Sequence, residues 1–257
     1  MKKAILLTFV ALSGLGFYAQ SEAKADETVS AKFGNSVSGA AQAKGYNFVY
    51  FEGDKSSGGL LCFGHSLTKH GPVASLGWSN DCGMAASGKD KDYVHLLWSM
   101  LKKKYNDPKM GLCIAQGAYF ERNFPEADKI LPAKYQAARD FKPKWIVISI
   151  ADNTNAQMLK EHDFIKEYDK LVKFLNPDGK AKMIITTGWY PSDKINPQLK
   201  AYAAKKGITI VDIAEISKKP GMKAIGLYKH PGVASHPSDA GMAALADAYF
   251  KALTSKK

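Results

Sequence analysis

Two residues that together could cleave an ester stand far apart in this chain. Ser66 follows the apolar run Leu60-Leu61-Cys62-Phe63 and Gly64, and His236 opens the segment His236-Pro237-Ser238 about 170 residues later. A serine hydroxyl attacks a carbonyl carbon when a base takes its proton, and an imidazole is the commonest such base. Ser66 taken alone is better explained as an ordinary turn serine or helix cap. The second residue is what favours a nucleophile and base that meet only after folding.

The elements around these residues predict the edge of a sheet where such a pair could meet. Apolar runs predict core strands at 60–63, 110–115, 145–150, 183–187 and 208–213. Amphipathic or capped segments predict helices at 92–105, 125–141 (broken at Pro132), 162–175, 196–206 and 238–253. Strands that alternate with crossover helices form a parallel sheet covered on both faces. We therefore predict an α/β fold, a three-layer α/β/α sandwich around a mainly parallel five-stranded sheet.

The amino terminus reads as an export signal. Met1-Lys2-Lys3 precedes an apolar stretch over 4–19 and the small-x-small site Ala23-Lys24-Ala25. This pattern is typical of a cleavable signal peptide over 1–25, with cleavage expected after Ala25. The remaining 26–257 are predicted to form one domain, with 26–46 as a loosely ordered arm, and the mature protein is expected to be periplasmic or secreted.

The charge is strongly positive. The formal net charge is +12, and removal of 1–25 would leave about +10. An excess of this sign favours anionic surroundings such as acidic glycans, cell-wall polymer or lipid headgroups, although a solvated lysine-rich surface explains it as well. The lysines are scattered and no basic-aromatic stripe appears, so nucleic acid is not an expected partner. No segment of the mature chain predicts a membrane span, and the oligomeric state stays open.

The three cysteines leave at least one thiol unpaired. Cys62 and Cys113 lie in predicted buried strands, where cysteine packs as a small apolar group. A Cys62–Cys82 bridge is compatible with an oxidising compartment and is left open. The chain has no Cys-x-x-Cys pair and no Cys/His spacing typical of a metal site, and no cofactor is implied.

Four short segments together resemble the SGNH/GDSL hydrolase family, in particular a branch of secreted bacterial esterases. Gly64-His65-Ser66-Leu67 is similar to the first block of that family, with His in place of Asp. Gly117, Ala151-Asp152-Asn153-Thr154 and His236-Pro237 stand where its later blocks are expected, and 68–95 resembles the secreted branch. The resemblance covers 58–250 and implies a flavodoxin-like sandwich and a serine esterase.

The resemblance also implies a role for each matching residue. Ser66 would be the nucleophile and His236 the base. The oxyanion would be held by the backbone N–H groups of Ser66 and Gly117 and by the side-chain amide of Asn153, with Asn155 as the competing amide. The bland alternatives are a turn glycine at 117 and a loop or cap amide at 153.

Two positions depart from the family pattern. Val233 stands three residues before His236, where the family has an aspartate, so no acid from that position can orient the imidazole. Either a backbone carbonyl holds the ring, which gives a Ser-His dyad and is the favoured interpretation, or an acid from elsewhere does so. Asp239 is better explained as a helix cap. Ala151 replaces a glycine, a small change that leaves Asn153 in place.

Four further side chains are candidates for lining the substrate cleft. They are His65, Trp78, Trp189 and His230, each near a predicted strand end, the long loop 68–88 or His236. The default for the aromatic residues is core packing, and for His65 it is packing beneath the serine turn.

The expected function is a secreted serine esterase that removes a small acyl group, acetyl above all, from a carbohydrate. The same acyl-enzyme could instead pass its acyl group to a glycan hydroxyl, which would make the protein an acyltransferase. A third possibility is a glycan-binding protein with a decayed site, a reading to which Val233 gives weight. Neither a metal nor an organic cofactor is required by this chemistry.

Overall fold

The structure, a computed structural model, describes residues 48–255 as a six-stranded sheet between two layers of helices. The strands are β1 (Val49–Glu52), β2 (Gly59–Gly64), β3 (Gly111–Gln116), β4 (Trp145–Ser149), β5 (Lys182–Thr186) and β6 (Thr209–Val211). The helices are α1 (Tyr93–Tyr105), α2 (Ala118–Asn123), α3 (Ala127–Asp140), α4 (Met158–Glu161), α5 (Phe164–Leu175), α6 (Asn196–Lys206), α7 (Ile213–Ser217), α8 (Pro231–Ser235) and α9 (Asp239–Thr254). The predicted three-layer α/β/α class is confirmed.

The strand count of five was wrong, because β1 adds a sixth strand. It pairs antiparallel with β3, whereas the other five strands, β2 to β6, are parallel to one another. The connection from β1 to β2 is one short turn over 53–58, and a parallel neighbour would need a crossover of a dozen residues or more. The chain therefore reverses direction, and β1 closes the outer edge of β3.

Alternating side chains of the central strand β2 enter two separate cores. Leu60 and Cys62 pack under α1 and α9, and Leu61 and Phe63 pack under the layer that includes α3 and α5. All six residues of β2 are buried. A strand covered on both faces reads as a continuous apolar run, which is why the sequence predicted it well.

Helix α3 runs unbroken through Pro132, which corrects the predicted break. Pro132 lies on the exposed side, and Ile130, Leu131, Tyr135 and Ala138 of the same helix are buried. A proline removes one backbone hydrogen bond from a helix. The buried apolar stripe on both sides of it is the interaction that keeps this helix continuous.

The strand order places the predicted nucleophile at the point where ligands bind in such sheets. The order is β1-β3-β2-β4-β5-β6, so β2 lies between strands whose connections leave in opposite directions. For the five parallel strands this is the flavodoxin-like order, in which the crevice opens at the carboxyl ends beside the first strand. Ser66 follows the carboxyl end of β2.

The three cysteines are free, so the Cys62–Cys82 bridge is not formed. All three are buried, and burial raises the pKa of each thiol, that of Cys82 to about 12. A thiol held protonated in this way is a poor nucleophile and resists oxidation.

Within 48–255, no helix is both long and apolar enough to cross a membrane. The predicted signal peptide (1–25) and the predicted arm (26–46) lie outside the described residues, as does Asn47.

An imidazole held between two carboxylates fastens α1 to the sheet. The ring of His95 contacts Asp92 at 2.7 Å and Glu52 of β1 at 3.1 Å, and Lys89 adds a contact to Glu52 at 2.8 Å. Burial alone would lower the pKa of His95, but the hydrogen bonds to Asp92 and Glu52 outweigh it and raise that pKa. Burial opposes ionisation of Glu52 too, yet His95 and Lys89 lower its pKa to about 2.

We predict that His95→Gln destabilises the protein most at mildly acidic pH. Because the folded pKa of His95 is raised, its contribution is fully present below the unfolded value of about 6.5 and is lost as the pH rises through the folded pKa. Glu52 contributes above its unfolded pKa and loses that contribution only as the pH falls toward 2. The loss of Tm in the variant should be largest at pH 5–6, corresponding to about 1–3 kcal/mol, and smaller at pH 9.

The exposed His162 offers a matched control, and His162→Gln should leave Tm nearly unchanged at each pH. An equal loss of Tm for His95→Gln at pH 5.5 and pH 9 would contradict the charged state assigned to His95.

Candidate active site

Ser66 lies in a tight turn directly after β2. The N–H groups of Thr68 and Lys69 donate to the carbonyl of His65 at 2.8 and 3.1 Å, and the Met84 N–H donates to the carbonyl of Ser66 at 2.8 Å. A Cβ on Gly64 would lie 1.9 Å from Thr68 Oγ1, so only glycine allows the turn to close this tightly. The hydroxyl is recessed, because Ser66 is 6% exposed.

The long loop 68–88 folds over this turn as a packed cover. Two isolated bridges join His70 to Cys82 and Val73 to Trp78. Met84 is buried with its neighbours, and its N–H is the group that holds Ser66. In the structure the loop fixes the position of Ser66.

His236 reaches Ser66 from the other end of the chain. Its Nε2 lies 2.8 Å from Ser66 Oγ, and its Nδ1 lies 2.7 Å from the carbonyl oxygen of Gly232. A carbonyl can only accept, so Nδ1 carries the hydrogen and Nε2 of the neutral ring is the acceptor that a base requires. The favoured carbonyl orientation is thus the one observed. Asp239 instead accepts from the backbone N–H and the hydroxyl of Ser87, and Ser238 caps α9.

A second imidazole stands on the other side of the same hydroxyl. His65 Nδ1 is 3.3 Å from Ser66 Oγ, and His65 Nε2 is 3.0 Å from Asp152 Oδ2. The side chains of His65 and Asp152 are 2% and 6% exposed. His65 was predicted to line the substrate cleft, and the structure places it against the Ser66 hydroxyl itself.

Asp152 also fixes the segment that follows β5. Its carboxylate accepts the N–H of Trp189 at 2.9 Å and that of Tyr190 at 3.1 Å. From there the Trp189 indole donates to the carbonyl of Ser235 at 3.0 Å, and Tyr190 Oη lies 2.7 Å from Ser235 Oγ. Since Ser235 precedes His236, this carboxylate positions both imidazoles.

The predicted lining role of Trp189 is therefore corrected to a buried support. Its side chain is fully buried, and its one polar atom is used to hold α8. Trp78 is corrected in the same way: it is 1% exposed and donates to the carbonyl of His70. His230 is half-buried at the start of α8, six residues before His236.

The expected oxyanion role of the Gly117 N–H is not compatible with the structure. This N–H donates to the carbonyl of Gly64 at 2.6 Å and so completes the edge between β2 and β3. A Cβ at 117 would lie 2.6 Å from the Phe63 ring and 2.8 Å from Ile150. Glycine is needed at this position because the Phe63 and Ile150 side chains leave no room for a Cβ.

Asn153 is held by a buried acid that sequence reasoning missed. Glu121 of α2 is fully buried, and its carboxylate accepts the backbone N–H groups of Ala151 and Asn153 at 2.7 and 3.0 Å. The Asn153 side-chain amide donates to the same carboxylate at 3.0 Å, which leaves its second N–H without a partner among the described residues. Burial raises the pKa of Glu121, and the charge of His65 opposes that rise. Asn155, the competing amide, accepts from the N–H groups of Gln157 and Met158 at the exposed start of α4.

The missed residues carried weak signals in the sequence. Asp152 stood next to Asn153 in a recognised segment, but nothing local indicated its partners. Glu121 follows three apolar or aromatic residues, the last of which is Phe120. A single acidic residue in such a segment does not indicate which groups it will contact. Gly232 acts through its carbonyl, which every residue type possesses.

Within residues 48–255, no three His, Cys, Asp or Glu side chains converge in a way that could hold a metal ion.

Comparison with known proteins gives limited similarity. The chain matches no protein-family model and no curated protein. One similar solved structure is a protein assigned to the G-D-S-L family of lipolytic proteins from Desulfitobacterium hafniense DCB-2, with 14% identity, a TM-score of 0.44, and 75% of this chain and 98% of that chain covered. A second has 16% identity, a TM-score of 0.44, and 76% and 95% covered. At this level of similarity we draw no conclusion about family or activity.

We predict that Glu121→Gln destabilises the fold at neutral pH by about 1–3 kcal/mol. A glutamine amide offers one acceptor and one donor group, so it cannot accept all three N–H groups that face Glu121. Urea unfolding of both proteins measures the difference. Glu126→Gln, which removes an exposed ion pair with Lys129, should cost less than about 1 kcal/mol. Equal stabilities for wild type and Glu121→Gln would contradict the buried acceptor role.

Proposed function

We propose that this protein is a serine esterase that removes small acyl groups, acetyl above all, from a carbohydrate. The observation that carries the proposal is the 2.8 Å contact between Ser66 Oγ and His236 Nε2, with Nδ1 of the same ring held by the carbonyl of Gly232. The hydroxyl and the imidazole come from distant parts of the chain. The tautomer of His236, with its hydrogen on Nδ1, leaves Nε2 free to accept the serine proton, as general-base catalysis requires.

The reaction proceeds through an acyl-enzyme. His236 Nε2 takes the hydroxyl proton as Ser66 Oγ attacks the ester carbonyl carbon. The oxyanion is stabilised by the backbone N–H of Ser66, which makes no hydrogen bond within residues 48–255, and by the second N–H of the Asn153 amide. His236 then protonates the departing sugar hydroxyl, and a water activated by the same ring releases the acid.

The recessed position of the nucleophile supports a small acyl group. Ser66 and His236 are 6% and 3% exposed, so a short acetyl chain reaches Oγ more readily than a long alkyl chain. The carbohydrate part of the proposal is supported by the formal net charge of about +10 that remains after removal of 1–25, which favours an anionic polymer, and by the family resemblance.

We predict that Ser66→Ala and His236→Ala each lower the rate of p-nitrophenyl acetate hydrolysis by at least about 10³-fold, because each removes one half of the nucleophile–base pair. The exposed Ser75 provides the matched control, and Ser75→Ala should retain the wild-type rate. Wild type should also prefer the acetyl ester to the octanoyl ester. An unchanged rate in Ser66→Ala would contradict the esterase proposal and favour a glycan-binding protein.

A second assay separates hydrolysis from acyl transfer. When an acetylated donor and an acceptor glycan are both present, formation of acetylated acceptor in place of free acetate would identify an acyltransferase.

We further propose export through the amino-terminal segment. The basic start, the apolar stretch and the small-x-small site support cleavage after Ala25. Expressed from Met1 in a bacterium, the mature protein should begin at Asp26 and be recovered outside the cytoplasm, as amino-terminal sequencing of each fraction would measure. A product that retains Met1–Ala25 in the cytoplasm would contradict the proposal.

A further inference from the structure

The hydroxyl of Ser66 lies between two imidazoles, and the reaction proposed above uses only one of them, His236. His236 Nε2 is 2.8 Å from Oγ, and His65 Nδ1 is 3.3 Å from the same atom. Behind His65 stands the carboxylate of Asp152 at 3.0 Å, whereas behind His236 stands the neutral carbonyl of Gly232 at 2.7 Å. The carboxylate of Asp152 thus stands behind His65, on the side of Ser66 Oγ opposite to His236.

The number of available hydrogens decides the state of His65. The neutral His236 ring carries its hydrogen on Nδ1, so its Nε2 accepts the single hydroxyl hydrogen of Ser66. Oγ then has no hydrogen left to donate toward His65. The contact at 3.3 Å is favourable only if His65 Nδ1 is itself the donor, since two facing lone pairs repel.

The other ring nitrogen of His65 also carries a hydrogen, because it faces a carboxylate. Asp152 accepts two backbone N–H groups, from Trp189 and Tyr190, in addition to His65 Nε2. The two oxygens of this carboxylate thus face three donors, and its side chain is only 6% exposed. A buried carboxylate is stabilised by a nearby positive charge, and an imidazolium at 3.0 Å supplies it.

Two acids near His65 favour this charge. Asp152 faces the ring from the segment after β4, and Glu121 of α2 is electrostatically coupled to it. The other titratable group at the Ser66 hydroxyl is His236, whose neutral ring adds no charge in the resting site. The electrostatic coupling of Glu121 to His65 has the same sign.

We propose, building on the esterase function above, that His65 is a cationic catalytic residue and that Asp152 is the positioning residue that keeps it charged. As the hydroxyl proton passes to His236 Nε2, the electron pair of the O–H bond stays on Oγ and forms the bond to the carbonyl carbon. His65 keeps both of its protons and stabilises the negative charge that grows on Oγ. In deacylation it stabilises the same oxygen as the bond to the acyl carbon breaks.

The protonation state of His65 can be measured without any substrate. ¹⁵N-histidine NMR of the wild type at pH 7 should show one buried ring with both nitrogens protonated that His65→Gln removes. In Asp152→Asn that ring should become neutral at pH 7. A neutral His65 in the wild type at pH 7 would overturn the proposal, whatever the activity of the enzyme.

The pH profile of kcat/KM for p-nitrophenyl acetate gives the second readout. The wild type should lose activity at low pH, where His236 is protonated, and again at high pH, where His65 loses its charge. His65→Gln should keep the acid limb, lose the alkaline limb and be slower at pH 7 by roughly 10²-fold. Asp152→Asn should shift the alkaline limb to lower pH, and the exposed control His162→Gln should match the wild type.

These outcomes separate the two proposals. A wild-type rate and an unchanged alkaline limb in His65→Gln would overturn the role of His65 and leave the esterase proposal intact. Full activity in Ser66→Ala would overturn the esterase proposal, whereas the ¹⁵N spectrum would still report whether His65 is charged.

Discussion

The carboxylate of Asp152 is the constraint that joins the two halves of this site. It holds His65 beside the nucleophile, and through the N–H groups of Trp189 and Tyr190 it holds the segment that clamps the helix before His236. A carboxylate that is removed from water is costly unless it is fully hydrogen-bonded, so the structure around it has little freedom. That lack of freedom fixes the distance between two residues that belong to distant parts of the chain.

The site uses two different ways to orient an imidazole. A carbonyl fixes the tautomer of His236 and leaves the ring neutral, ready to accept a proton. A carboxylate beside His65 favours the charged ring, which can only donate. Val233 is fully buried in the apolar core that α9 covers, so an aspartate there would have to bury a charge among apolar side chains. An apolar residue at position 233 is consistent with a neutral His236 held by a carbonyl and a carboxylate placed beside His65 instead.

The parts that the sequence predicted are those set by local pattern. The apolar run of β2 and the stripe of α5 each follow from burial, and helix α6 ends at Gly207 in the left-handed conformation, as its glycine indicated. Ser66 and His236 could be paired because each stands at the end of a recognisable element.

The parts that the sequence did not predict depend on contacts between distant segments. The pairing of β1 with β3, the N–H of Gly117 directed at Gly64, and the burial of Trp78 all require knowledge of the partner. Glu121 shows the same limit, since its three donors come from a segment some thirty residues further on. Such contacts form only in the folded chain, and the neighbouring residues in the sequence do not indicate them.

The distance along the chain between nucleophile and base has a consequence for biosynthesis. Ser66 and His236 are 170 residues apart, so at ordinary translation rates the serine leaves the ribosome roughly 10–30 s before the histidine is made. Parallel strands joined by crossovers also fold slowly, because the entropy of closing each long loop is lost before the stabilising contacts between the strands can form. A nascent chain therefore carries the Ser66 hydroxyl without its hydrogen-bond partner, and the contact with His236 forms only once the last helices have docked.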